Sequence, residues 1–358
     1  MPALVAGIHD CVTLKPCKKD VDGRDKPGHD GTAKLLGIYM PLTRRSIIAA
    51  AAAGVALPNA SFAAAPQVGA QAPGIYRYRL GDFELTAIND GTWYRKIDDT
   101  FIRNVSYAEV QRELAAGYLP PDTVPTYFTA LLVNTGEQLV LIDTGTGGQF
   151  PSPSGTLAAN LNAAGIDPKQ VDAILISHLH ADHINGIKTK DNERVFPNAE
   201  IMVSAPEWAY WMDDAILEAT PVPRRVPFLN ARRIFRDIAS DIRRFDAGIE
   251  LVPGITSVSA YGHTPGHTAF VIASGNESML VLGDTTNHPW LFLRHPEWQG
   301  SFDVDPVMAV ATRKRLLDRA AADRMLVQGY HFPFPGAGYI ARTAAGYEFV
   351  MRPWSPVL

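Results

Sequence analysis

Residues 177–186, SHLHADHING, constrain this chain more than any other stretch, because they set His178, His180, Asp182 and His183 almost side by side. The preceding run, 171–177, is short and apolar, which reads as a buried strand. Backbone leaving a strand projects positions i and i+2 to one side, so His178 and His180 can share one metal ion. Asp182 and His183, at the turn into a following helix, can face a second. A lone histidine is ordinarily a satisfied core or surface group; three histidines and an aspartate grouped at a strand end are not explained that way. Imidazole nitrogen and carboxylate oxygen are ligands that Zn²⁺ accepts at about 2.0–2.2 Å. The only cysteines are Cys11 and Cys17. A metal held by the rest of the chain must therefore use histidine and carboxylate.

Three later motifs extend the set. YGHTPGHTAF carries His263 and His267, VLGDTTNH carries Asp284, and QGYHFPFPG carries His331. Each follows a strand-like apolar run, and strand ends are where sites are built in open α/β sheets. The remaining pattern predicts strands at 76–80 and 83–88 around Gly81–Asp82, a helix over 105–117, and a loop at 119–125 with three prolines. It predicts a hairpin of 127–134 and 138–143, a helix over 154–164, a strand at 200–203, and a helix over 205–217. After a proline-rich break at 221–227 come a helix over 231–242 and strands at 255–260, 268–273 and 279–282. An amphipathic helix over 305–322 and a final core strand at 325–327 end the series. This mixture describes an α/β chain whose sheets are covered by helices.

Residues 43–65, TRRSIIAAAAAGVALPNASFAAA, place the pair Arg44–Arg45 before an apolar run ending in small residues. The run is about half the ~20 residues needed to span a bilayer. It reads as a twin-arginine signal peptide over 40–65, with periplasmic export and no stable membrane anchor after cleavage. Residues 1–39 read either as lying outside the translated protein, with Met40 as the start, or as a disordered extension. Residues 66–358 show no clear linker and read as one domain. The net charge of −4 gives no basic footprint for nucleic acid. The cluster Arg224, Arg225, Arg232, Arg233 and Arg236 reads as a solvated helix face.

HxHxDH, GHTPGHT, LGD and a late histidine, in that order, resemble the metallo-β-lactamase superfamily. The resemblance implies an αββα sandwich and two divalent metal ions, Zn²⁺ as first choice, with Mn, Fe or Co accepted by similar sites. It assigns His178, His180 and His263 to one ion, Asp182, His183 and His331 to the other, and Asp284 to both, with Asp182 also orienting the nucleophile. LVLIDTG, 139–145, would put Asp143 on a ligand histidine, fixing its tautomer. His267 would support the site without ligating. Further similarity to methyl parathion hydrolase and its relatives lies in LGDFELTAINDGT, LVNTG, FPNA, YGHTPGHT and HFPFPGAG.

The function implied is hydrolysis of a small-molecule lactone, aryl ester or phosphotriester by hydroxide generated between two metals. A glyoxalase II-like thioester hydrolase is the alternative, and a non-catalytic metal-binding protein a third. Asp284 stands where two classes of true metallo-β-lactamase have cysteine, and Asn287 where acyl-homoserine lactonases have tyrosine. Trp93, Phe128, Trp208, Trp211, Trp290 and Phe292 are the candidate substrate-pocket residues, each also readable as core. His288 and His295 read as polar loop residues. Homodimers are common among such proteins, so the chain is open to that assembly by analogy.

Overall fold

The computed structural model describes residues 67–151 and 153–358. The leader over 40–65 and the extension over 1–39 lie outside the described residues. The fold starts with the hairpin β1 (Ile75–Leu80) and β2 (Phe83–Lys96), turned at Gly81. Next come α1 (Tyr107–Ala116), β3 (Thr123–Asn134), β4 (Leu139–Ile142), α2 (Leu157–Ala163), β5 (Ala173–Ile176), α3 (Ala181–Ile184) and β6 (Glu200–Ser204). Helices α4 (Ala205–Met212), α5 (Asp214–Ala219) and α6 (Val226–Phe235) lead to β7 (Arg243–Phe245). The second half holds β8 (Glu250–Val252), β9 (Ile255–Ser259), β10 (Thr268–Ser274), β11 (Glu277–Val281), α7 (Pro306–Ala322), β12 (Leu326–Gln328), β13 (Ala337–Arg342) and β14 (Tyr347–Met351).

β1 to β7 form one seven-stranded sheet in sequence order; β14 down to β8 form the second. Side-chain alternation along each strand sends one set of residues between the sheets and the other outward. Leu85, Leu131, Val140 and Leu175 from the first sheet meet Phe270, Ile272, Met279 and Leu326 from the second in one buried layer. The outward set of the first sheet, including Ile174, Ile176 and Ile201, packs with α2, α4 and α6. That of the second, including Leu280 and Val327, packs with Leu316, Leu317 and Ala320 of α7. Each of these fully buried aliphatic side chains contributes about 1.5–3 kcal/mol. The outcome is the expected αββα sandwich, and Gly69–Leu358 forms one compact unit. No helix among the described residues is long and apolar enough to cross a membrane.

Several sequence expectations need correction. β2 continues past 88 to Lys96, carried by a β-bulge between Asn89 and Gly91. Residues 123–125, expected as loop, open β3. Pro125 is tolerated there because that stretch of β3 pairs only with β2, β4 engaging only Leu131–Asn134. The expected helix over 205–217 is two helices, broken at Asp213, whose carboxylate accepts from Ile216 N–H and caps the second. The helix expected over 231–242 starts earlier, at Val226, with Pro227 in its first turn, and stops at Phe235. The strand at 326–328 is not the last: β13 and β14 follow, and β7 and β8 were not anticipated.

Candidate metal centre

The site lies where strand ends converge. Asp143 follows β4 and adopts φ 60°. Ser177 and His178 follow β5, Asp284 follows β11, and His331 follows β12; His263 sits in the turn between β9 and β10. β4 and β5 are parallel, as are β11 and β12, so their carboxyl ends fall at one edge of the sandwich.

Two groups of ligand-type atoms meet there. His178, His180, His263 and Asp284 form one; Asp182, His183 and His331 form the other, the atoms within each lying inside 4.8 Å of one another. His178 Nε2 is 2.9 Å from His180 Nδ1 and 3.2 Å from His263 Nε2, and the last two atoms are 3.0 Å apart. Asp284 also reaches the second group. Its Oδ2 is 3.3 Å from His263 Nε2 and 3.1 Å from His331 Nε2, while its Oδ1 is 3.1 Å from His183 Nε2. Asp182 Oδ2 is 3.7 Å from His183 Nε2 and 3.5 Å from His331 Nε2.

In His183, His263 and His331 the other ring nitrogen is already engaged, which fixes the tautomers through the hydrogen-bond network. Nδ1 of His263 donates to Asp303 Oδ1 at 2.9 Å, that of His183 to Asp143 Oδ2 at 2.8 Å, and that of His331 to the Tyr127 carbonyl at 2.7 Å. Nε2 is therefore the nitrogen each of these rings has left for a metal ion, and the three atoms lie close to one another and to carboxylate oxygen. His183 Nε2 and Asp284 Oδ1 are buried without a hydrogen-bond partner. Imidazole nitrogens and carboxylate oxygens crowded in a buried site need cations between them, a proton on His183 when the ions are absent and metal when they are bound, so the donor set fits two divalent ions.

Supporting residues reach both ligand loops. Asp143 also accepts from Ser177 N–H at 2.8 Å and Ser177 Oγ–H at 2.7 Å. His267 donates Nδ1–H to the Ala260 carbonyl and accepts the Asp284 N–H on Nε2, both at 2.9 Å, so the second histidine of GHTPGHT holds the backbone of the shared aspartate. Asn287 donates to Asp284 Oδ2 at 2.9 Å. Glu207, fully buried on α4, accepts from Leu179 N–H, Trp211 Nε1–H, Thr264 Oγ–H and Gly266 N–H. It thereby ties the HxH loop to the His263 turn. Gly266 must be glycine, since a Cβ there would stand 2.0 Å from Glu207 N.

Burial pushes the His178 and His180 pKa values well below the usual imidazole range, keeping both neutral. His267 and His288 are pushed by burial down to about 4. Burial also acts to lower His183, but Asp284, Asp143 and Asp182 outweigh it and hold that ring well above the ordinary value. For Asp284, burial acts upward and the surrounding imidazoles, His331 first, outweigh it and hold the carboxyl well below the usual range.

All seven ligand candidates thus come together, with Asp143 and His267 supporting them. The pocket candidates divide. Trp211 lies with its ring 5.6 Å from His180, and Phe128 lies 5.7 Å from His331. Trp93 reaches the same wall through Phe150. Trp290 lines a separate cavity of about 350 Å³ with Leu119, Tyr127 and His288. Two candidates are corrected to core: Trp208 packs on Phe235 within the helix layer, and Phe292 is fully buried against Phe302 and Arg313. Closeness to a motif along the chain does not decide which way a ring points. Asp303, Glu207 and Ser177 escaped sequence reading because isolated acids and serines carry no spacing signal.

Fold and site together define a dinuclear metal hydrolase. Residues 125–329 match the family model described as the metallo-beta-lactamase superfamily, and the chain belongs to that family. It is similar to the N-acyl homoserine lactonase AttM of Azorhizobium caulinodans, 29% identical over 53% of this chain and 68% of that protein. It is also similar to N-acyl homoserine lactonase AiiA of Bacillus thuringiensis subsp. kurstaki, 26% identical over 47% of this chain and 58% of that one. Among solved structures it resembles AidC, described as a dizinc quorum-quenching lactonase, with TM-score 0.74, 30% identity, and coverage of 79% and 99% of the two chains. It resembles equally the hydrolase AbOPH, with TM-score 0.74, 31% identity and coverage of 80% and 100%. The resident group is accordingly a pair of divalent metal ions, zinc foremost.

Proposed function

We propose that this enzyme opens lactones and cleaves aryl esters, with phosphotriesters as a further substrate class through its similarity to methyl parathion hydrolase-type sequences. The observation that carries the reading is the carboxylate of Asp284, whose two oxygens reach histidines of both groups. A shared carboxylate suits one reaction centre served by two ions, and the lactonase relatives support the lactone class.

Bound divalent ions supply Lewis acidity toward the substrate's carbonyl or phosphoryl oxygen and make hydroxide available near neutral pH. The chain's own residues do the rest. His178, His180 and His263 would hold one ion; Asp182, His183 and His331 would hold the other. Asp143 and Asp303 keep His183 and His263 in the Nδ1–H tautomer, so each presents Nε2. Asp182, whose side chain is 16% exposed against 4% for Asp284, is the carboxylate turned toward solvent. It orients the attacking water and can take its proton on a carboxylate oxygen. Phe128 and Trp211, both buried, pack against His331 and His180 and keep water from behind the ligands.

The test is turnover of dihydrocoumarin, 4-nitrophenyl acetate and methyl parathion by purified metal-loaded protein, before and after chelation. Chelator-sensitive hydrolysis of the lactone and aryl ester is expected; no hydrolysis of any of the three with both metals bound would overturn the reading. We further propose periplasmic export, supported by residues 43–65. Replacing Arg44 and Arg45 by lysine should retain the protein in the cytoplasm; unchanged periplasmic yield would refute the route.

A further inference from the structure

Arg95 is a cation that the protein itself leaves unused. Among the described residues it forms no ion pair and no side-chain hydrogen bond. Its guanidinium carbon instead lies 5.5 Å from the Trp93 ring centroid, 5.2 Å from that of Phe101 and 5.8 Å from that of Phe302. Such aromatic stacking covers the faces of a guanidinium and leaves its N–H edge available.

Two chains of rings lead from this cage to the metal centre. Phe302 lies 5.8 Å from His263. On the other side Trp93 contacts Phe150, Phe150 contacts Phe128, and Phe128 contacts His331, at 5.8, 5.8 and 5.7 Å. Arg95 therefore spans the aromatic walls that flank the two ligand groups. The carboxylates nearest in influence are Asp182, itself one of the ligands, and Asp98; both oppose the lowering of the Arg95 pKa by burial.

The backbone is built to put Arg95 there. Before the bulge, Leu85 and Ala87 point between the sheets and Ile88 points to the helix side. After it, Trp93 packs on the helix-side cluster, so odd-numbered positions have changed face. Tyr94 and Lys96 are exposed, and Arg95 follows Trp93 inward. One inserted residue in an antiparallel pair flips every side chain beyond it, and bulges of this kind re-aim side chains at active sites. Asp90, within the bulge, accepts from Thr146 N–H, Thr146 Oγ–H and Leu157 N–H at 2.7, 2.7 and 2.8 Å, which anchors the bulge to the loop after Asp143. Gly91, at φ 126°, has no room for a Cβ, which would stand 2.3 Å from the Pro153 carbonyl.

We propose that Arg95 is the substrate-orienting residue of this site, its N–H edge receiving a second oxygen acceptor, a carboxylate or an amide carbonyl, on the acyl side of the lactone or ester. Arg95 brings an unpaired positive charge to this wall, so the site favours electron-rich oxygen over a purely hydrocarbon tail. The inference rests on the hydrolase reading above and names the substrate feature that reading leaves open.

The experiment uses the full-length metal-loaded protein and the variants Arg95→Met, which keeps an apolar stem against the rings, and Arg95→Lys, which keeps charge without the fork. Two substrates lack a second acceptor: 4-nitrophenyl acetate and dihydrocoumarin. Two carry one: mono-4-nitrophenyl glutarate, with a carboxylate, and an α-acylamido-γ-butyrolactone, with an amide. Arg95→Met should raise KM for an acceptor-bearing substrate about 10- to 100-fold, the size expected for a lost hydrogen bond to a charged group, with kcat and the acceptor-free substrates little changed. Arg95→Lys should recover the glutarate substrate better than the amide. An equal loss on all four substrates, or no loss on any, overturns the proposal. Calorimetric binding of N-hexanoylglycine, an inert amide carboxylate, keeps it separable from the hydrolase reading. If nothing is turned over, weaker binding to Arg95→Met than to the native protein still supports Arg95, and equal binding overturns it.

Discussion

Glu207 offers the sharpest test of how the centre is held together. One carboxylate satisfies four donors from three segments: Leu179 between the paired histidines, Trp211 on its own helix, and Thr264 and Gly266 in the His263 turn. Burial pushes its pKa up, and the four donors work against that rise. Glu207→Gln changes no volume but replaces one acceptor oxygen by an NH₂ group. With Oε1 kept toward Leu179 and Trp211, the amide nitrogen faces Thr264 and Gly266. The Thr264 hydroxyl can rotate to accept, whereas the Gly266 N–H cannot, and it is left buried against another donor. The lost charge-assisted bond costs about 1.5–3 kcal/mol and the stranded N–H about 1–3 kcal/mol. Relief from burying a charge offsets part of this, leaving a net loss of about 2–4 kcal/mol. At about 2–4 °C per kcal/mol for a large domain, the melting temperature should fall by roughly 4–16 °C. Because the ligand loops lose their shared clamp, zinc affinity should fall about 10- to 100-fold. Thermal denaturation and competition with a chromogenic chelator measure the two effects. Native melting temperature together with native zinc affinity in Glu207→Gln would refute the clamp.

Further outcomes follow from the same geometry. Asp284→Ala should lose at least one of the two ions by elemental analysis and drop kcat/KM by more than about 100-fold, exceeding the loss typical of residues that only support ligands; full metal content with native turnover would contradict its shared role. Asp303→Asn should weaken metal binding about 10- to 100-fold, because the amide can turn an NH₂ donor toward the His263 Nδ1–H; calorimetric titration with zinc reads this directly. Loading the ion-free protein with zinc near pH 7 should release protons, because the nearby carboxylates hold His183 protonated above the ordinary imidazole range and a ligand imidazole must be neutral. Zinc affinity should therefore rise with pH until His183 has lost its proton; a pH-independent affinity, measured in weakly buffered solution with an indicator dye, would sink this. Gly266→Ala should destabilise the protein and weaken zinc binding together, since its Cβ would collide with the backbone of α4; a soluble variant with native melting behaviour would contradict the close approach.

The seven ligand candidates were legible because each lies in a short motif soon after a strand, and strands write their period and their termini into local sequence. The same holds for Asp143 and His267, which lie inside motifs. Helix starts were legible where a cap announced them, as Ser106 does for α1 and Asp305 for α7. The short strands β7 and β8 and the closing pair β13–β14 were not, because their few residues of mixed polarity take strand form only by pairing with neighbours already in place.

Sequence by itself therefore determined the chemistry: which side chains can bind metal, that thiolates take no part beyond Cys17, and that sheets and helices alternate around a buried core. Only the tertiary structure decided which acids stand behind the ligands, which aromatic rings pack against them, and that Arg95 lies among Trp93, Phe101 and Phe302. Those outcomes depend on contacts between residues far apart in the chain, such as His263 with Asp303 or Glu207 with Gly266, and on a single bulge that reverses which face of β2 is inward. Local patterning records what a segment can form; partners and directions are fixed only when the two sheets close on each other.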